Sequence, residues 1–173
     1  RLNEKRNAMG KVIALANQKG GVGKTTTAVN LSAALAEKGK KILLIDSDAQ
    51  GNATSGLGIK IEKGGKTLYN VITEEEPISS AIVKTAYDRL YVCPSDVELS
   101  GAEIELVDAP DRAHRLKKAL AAIKNDYDFI LIDCPPSLGL VTLNALAAAD
   151  TVLVPIQCEF YALEGLALLT GTI

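Results

Sequence analysis

Lys19-Gly20-Gly21-Val22-Gly23-Lys24-Thr25-Thr26-Thr27 joins two stretches of opposite character. The apolar run Val12-Ile13-Ala14-Leu15-Ala16 before it reads as a buried strand. After it, Ala28-Val29-Asn30-Leu31-Ser32-Ala33-Ala34-Leu35 reads as a helix. A glycine-rich turn at such a junction points successive backbone N–H groups into one concavity, and the helix N-terminus adds positive potential there. Lys24 stands where an ammonium can reach terminal phosphates, and Thr25 where a hydroxyl can ligate magnesium. The expected phosphate cradle therefore comprises Lys19, Gly20, Gly21, Val22, Gly23, Lys24, Thr25 and Thr26.

Outside the loop the elements alternate. Lys41-Ile42-Leu43-Leu44-Ile45-Asp46 is a second buried strand, behind the turn Glu37-Lys38-Gly39-Lys40. Residues 49–66 are rich in Gly, Asn, Ser and Lys and read as a long irregular segment, a length that usually signals function or mobility. Short helices are expected around Leu68–Ile72 and Ile78–Val83, a strand at Leu90–Cys93 and a helix from Ala113 to Lys124. A strand at Phe129–Asp133, a helix at Leu140–Ala149 and a strand at Thr151–Ile156 follow. Strands that are apolar throughout and separated by helices imply an α/β fold, a mostly parallel twisted sheet with helices on both faces. Right-handed crossovers bring all strand C-termini to one edge, where ligands bind.

That edge collects the acids. Asp133 closes the apolar strand of Ile130-Leu131-Ile132-Asp133-Cys134-Pro135-Pro136, where a carboxylate serves magnesium beside phosphates. Asp46 and Asp48 alternate along Ile45-Asp46-Ser47-Asp48-Ala49-Gln50-Gly51-Asn52, so on extended chain both face one way, toward a nucleotide. One of the two would hold magnesium through water and the other orient an attacking water.

The loop departs from G-x-x-x-x-G-K-[ST], because position 18 is Gln18 rather than glycine and a second lysine, Lys19, precedes the turn. A Rossmann dinucleotide site would need a glycine at Thr26 and has no use for Lys24-Thr25. The form K-G-G-V-G-K-T instead resembles the deviant Walker A loop of the ParA/MinD group of ATPases. The resemblance runs from Lys11 to Leu169 and is specific to ParA/Soj-type partition ATPases. Asp46–Gly58 resembles their switch I segment, commonly D-x-D-P-Q-G-N, with Ala49 in place of proline. Pro135-Pro136-Ser137-Leu138 with Thr142–Leu146 resembles switch II, and Gln157–Gly165 the next strand–helix junction.

The resemblance implies a P-loop NTPase fold and an ATP- and Mg2+-dependent hydrolase acting as a dimerisation switch in chromosome or plasmid partitioning. Lys19 would reach the ATP of the other subunit, Lys24 and Asp48 would join it in catalysis with Asp48 activating water, and Thr25, Asp46 and Asp133 would serve magnesium. The implied partners are a second copy in an ATP-dependent homodimer, a ParB-like centromere-binding protein and non-specific DNA, with a cytoplasmic, nucleoid-associated location and no membrane. A MinD-like membrane switch shares the loop, but Asp-Ala-Gln-Gly-Asn at 48–52 argues against it. An iron–sulfur role like that of the nitrogenase iron protein is at odds with the placement of Cys134, and a metabolic ATP-dependent ligase or kinase would need a substrate pocket.

Composition fits one such domain. At 173 residues with 47% apolar content the chain is long enough for a proper core, and its net charge of −2 supplies no general basic field for nucleic acid. No apolar run approaches the roughly 20 residues of a membrane span, so a soluble intracellular protein is expected. Cys93, Cys134 and Cys158 form no C-x-x-C pair and read as reduced thiols, while His114 lies in a charged stretch and receives no catalytic part. Residues 1–8 read as an extension before Met9, and 9–173 as an ATPase domain incomplete at its C-terminus.

Overall fold

The computed structural model describes residues 10–157. The expectations for the 1–8 extension, Met9, Cys158 and the strand–helix junction beyond Gln157 lie outside the described residues.

Six strands form one sheet in the order β3-β4-β2-β5-β1-β6. They are β1 (Lys11–Leu15), β2 (Ile42–Asp46), β3 (Val83–Lys84), β4 (Leu90–Cys93), β5 (Phe129–Asp133) and β6 (Thr151–Leu153). All pairings are parallel except that of β3 with β4. The helices are α1 (Lys24–Glu37), α2 (Asn52–Gly56), α3 (Leu68–Thr73), α4 (Ala102–Glu105), α5 (Arg115–Ala121) and α6 (Leu140–Ala148).

The period of two along each strand divides the core into two layers. Ile42 and Leu44 of β2 and Leu131 of β5 pack with Ala28 and Ala36 of α1 and with Ala53 and Leu57 in and after α2. Leu43, Ile45, Ile130 and Ile132 face the other way, onto Val71 and Ile72 of α3, Leu116 and Leu120 of α5 and Ala145 of α6. Both faces are covered, so β2 is buried at every position. Lys24, Ala28, Ser32 and Ala36 make the buried stripe of α1 at a spacing of four, and the small residues among them let its backbone lie close to the sheet.

Several expectations need correction. α1 begins at Lys24, so the Lys24–Thr27 stretch is its first turn rather than loop. The 49–66 segment contains α2, and Ala102–Glu105 forms α4, neither of which has an apolar period long enough to announce it. The helix expected over Ile78–Val83 is a single 3-10 turn at Ile78–Ser80, after which Val83–Lys84 becomes an antiparallel edge strand. The 113–124 helix contracts to Arg115–Ala121, with His114 at its N-cap position. β6 stops at Leu153, short of Pro155, which has no N–H for a ladder. Cys93 and Cys134 are buried free thiols, as expected of reduced cysteines.

Ile130 lies at the sheet's centre and is 0% exposed. Ile130→Ala should cost about 2–5 kcal/mol of stability, read as a lower urea midpoint with an unchanged slope; a loss below about 0.5 kcal/mol would contradict this packing.

Candidate phosphate-binding site

The order β2-β5-β1 places three functional segments side by side at one edge. β1 runs into the glycine loop, and in register Leu15 pairs with Asp133 while Asp133 pairs with Asp46. Two carboxylates thus end adjacent strands, next to the loop that β1 delivers.

Gly21 and Gly23 have φ of 74° and 86°, backbone that a side chain disfavours. A Cβ built on Gly20, Gly21 or Gly23 would meet nothing within 4 Å, so the loop presents bare backbone to open space. Gly23 caps α1 without a side-chain hydrogen bond, and no acidic residue occupies the first turn. The first N–H groups of α1 are left for an outside acceptor. Val22 is 7% exposed, its side chain turned into the protein. A cleft of about 380 Å³ opens over this loop, lined by Gly20, Gly21, Gly23, Lys24, Thr25, Thr26, Asp48, Gln50, Asn52 and Pro136.

Lys24 is 7% exposed, and its Nζ donates to the Lys19 carbonyl at 3.2 Å. Burial lowers its pKa, and the charges of Asp133, then Asp48, oppose that shift. Asp133 is 0% exposed, and burial pushes its carboxyl up to about 7, with the Asp46 and Asp48 charges adding to the rise. The Thr25 hydroxyl is near enough to favour its charged form, yet neither Asp133 oxygen has a hydrogen bond of normal geometry among the described residues. Two bare oxygens of a buried acid beside a lysine and a threonine at a helix start suit a divalent cation. Among the described residues no group of three or more His, Cys, Asp or Glu forms a metal cage. Magnesium beside phosphates takes one or two protein ligands and completes its shell with water and phosphate oxygens.

The acids of the second strand diverge, contrary to the expectation that both face the ligand. Asp48 lines the cleft, its Oδ1 accepting from the Gln50 N–H at 2.9 Å. Asp46 is 0% exposed and turns to α2, where its Oδ2 accepts from Thr54 N–H at 2.8 Å and Thr54 Oγ1 at 2.7 Å. Thr54 Oγ1 accepts in turn from Ser95 N–H at 3.1 Å. Burial raises the Asp46 pKa despite these bonds. Asp46, expected to support magnesium, is here the anchor that pins α2 to the sheet, because β2 ends at Asp46 and the alternation of an extended chain stops there.

Other residues take part that the sequence did not single out individually. Thr54, Asn17 and Gln157 act through hydrogen bonds to backbone or to Asp46. Asn17 alone carried a local signal, lying two residues before Lys19 as an Asx turn would require.

The raised Asp133 pKa makes stability depend on pH. An acid whose folded pKa of about 7 exceeds its ordinary value of 3.8 is protonated in the fold and ionised in the unfolded chain across that window. Stability then falls as pH rises through it, and the deficit is complete above it. Asp133→Asn should accordingly raise the melting temperature of the nucleotide-free protein at pH 8 but not at pH 4. An equal gain at both values would show that Asp133 does not titrate in this window.

Residues 10–173 match the family model described as an AAA domain. The sporulation initiation inhibitor protein Soj of Bacillus subtilis is 55% identical over 165 residues, covering 95% of this chain and 65% of that protein. The chromosome partitioning protein ParA of Myxococcus xanthus is 54% identical over 95% of this chain and 58% of its own length. The chain thus spans somewhat less than two thirds of the curated relatives it matches. Among solved structures, a protein named cobyrinic acid a,c-diamide synthase from Mycobacterium smegmatis, with bound ADP and magnesium, superposes with a TM-score of 0.90 at 44% identity, over 95% of this chain and 67% of that one. With the loop, the strand-end acids and the parallel sheet in place, this chain belongs to the AAA-domain family of P-loop proteins, and it is similar to the Soj and ParA members over the part of them that it spans.

Proposed function

We propose that this chain is the nucleotide-binding part of a partition ATPase in which ATP and Mg2+ operate a dimerisation switch. The observation that carries the reading is the conjunction of uncapped, side-chain-free backbone at Gly20, Gly21 and Gly23 with a buried Asp133 whose oxygens have no hydrogen bond of normal geometry among the described residues.

Bound MgATP would supply the phosphoryl group that is lost to water. The loop amides and the α1 N-terminus would bind the phosphates, and the Lys24 ammonium would leave the Lys19 carbonyl to neutralise them. Thr25 and Asp133 would hold the metal. Asp48, already on the cleft wall, would orient the attacking water, while Asp46 keeps α2 and the switch I segment in place through Thr54. Charge neutralisation and positioning carry most of phosphoryl transfer, so a carboxylate at Asp48 need not be a strong base. By likeness to the partition relatives, Lys19 would contact the nucleotide of a second subunit, a ParB-like protein would stimulate a slow turnover, and the ATP-bound dimer would hold DNA without sequence preference in the nucleoid.

The synthase name of one solved neighbour supports a second reading, an ATP-dependent ligase. The higher identity to partition proteins favours the switch. Turnover that rises with DNA plus a ParB-like protein would separate the two.

In the full-length protein, Lys24→Ala should weaken ATP binding about 10- to 100-fold. Asp48→Ala should keep ATP affinity but slow hydrolysis by about 10²–10⁴. Lys19→Ala should bind ATP yet remain monomeric with it in size-exclusion chromatography. Full ATPase activity in both lysine variants would sink the reading.

A further inference from the structure

Side-chain amides, rather than charges, tie the phosphate loop to the segment that leaves β6. Asn17 is 5% exposed; its Oδ1 accepts from the Lys19 N–H at 3.0 Å, and its Nδ2 donates to the Pro155 carbonyl at 2.9 Å. Only this orientation satisfies both partners, because the flipped amide would set donor against donor and acceptor against acceptor. Two residues beyond Pro155, the exposed Gln157 donates Nε2 to the Gly21 carbonyl at 3.0 Å.

The second bond matters because of what it holds. Gly20-Gly21 is the most permissive dipeptide of the loop, and the peptide plane after Gly21 is restrained by no side chain of its own. In a trans peptide the carbonyl and the following N–H point in opposite directions. No cis peptide occurs among the described residues. With the Gly21 carbonyl drawn to Gln157, which does not line the cleft, the Val22 N–H is turned away from Gln157. The Lys24 ammonium does the same for the Lys19–Gly20 plane, two peptides earlier, by holding the Lys19 carbonyl, but it would have to release that carbonyl to meet a phosphate. Gln157 need not let go.

We propose that Gln157, seconded by Asn17, is a positioning residue that sets the Gly21–Val22 peptide with its N–H toward the cleft before any phosphate arrives. Ordering the loop in advance removes that cost from nucleotide binding. The coupling is reciprocal: a nucleotide that fixes this peptide also fixes Gln157, and with it the start of the chain that follows β6. The inference rests on the nucleotide-binding reading above.

Gln157→Glu sets an acceptor against the Gly21 carbonyl, and Gln157→Met removes the donor without adding charge. Calorimetry with MgATP on the full-length protein should show affinity reduced about tenfold for Glu and severalfold for Met. KM for ATP should rise in parallel, kcat at saturation should stay within about twofold, and the nucleotide-free melting temperature should be unchanged. Wild-type affinity in both variants, or a loss confined to Glu, would overturn the proposal, the latter by reducing the effect to charge. A fall in nucleotide-free melting temperature that accounts for the weaker binding would also overturn it, by making the role purely structural. Absence of ATP binding in the unsubstituted protein would bring down the nucleotide reading and this inference together.

Discussion

An ammonium group withdrawn from water needs oxygen around it, and the placing of Lys24 organises this end of the molecule. Burial alone would cost a lysine its charge. Asp133 and Asp48 counter that, and the loop's own Lys19 carbonyl accepts the hydrogen bond. The arrangement requires a strand whose last residue is acidic next to the strand that feeds the loop, which the β5–β1 pairing provides. It also requires the lysine to begin a helix, so that its side chain and the first free N–H groups converge. Of the strand-end acids, Asp46 is occupied by Thr54, while the Asp133 oxygens have no hydrogen bond of normal geometry among the described residues, which leaves them suited to a cation brought in with phosphate.

The strands, the loop and the acid at position 133 could be read from the amino-acid order because each depends on local pattern. An apolar run ending in Asp133 behind a glycine turn with Lys24-Thr25 leaves few alternatives. What escaped the reading depends on distance. Asp46 was assigned to the ligand by the alternation of an extended chain, but the strand ends there, and Thr54, eight residues later, folds back to claim it. α2 and α4 span only Asn52–Gly56 and Ala102–Glu105, too short for a helical period to register, and are held by packing. Val83 reads as the end of a helix until β4 offers it and Lys84 a partner. Gln157 contacts Gly21 across 136 positions, and no pattern in either neighbourhood announces the pair.

The two layers of the core divide the labour. On one side α1 and α2 rest on Leu15, Ile42, Leu44 and Leu131, so the helix that opens at the phosphate loop and the helix pinned by Asp46 share one apolar floor. A shift of either is felt by the other through small side chains, Ala28 and Ala53, that leave little room for repacking. The opposite layer, with α3, α5 and α6, contributes no residue of α3 or α5 to the cleft wall. It closes the second face of the sheet and stiffens it from that side.

The brevity of β3 has a consequence for how copies of the chain can meet. A long, bare outermost strand offers its unpaired amides to any neighbour and invites open-ended stacking. Here that border of the sheet is two residues long, reversed in direction, and carries Lys84. Ladder extension from this flank would yield few hydrogen bonds and would crowd a cation. Filament growth by strand addition is thereby discouraged at that margin.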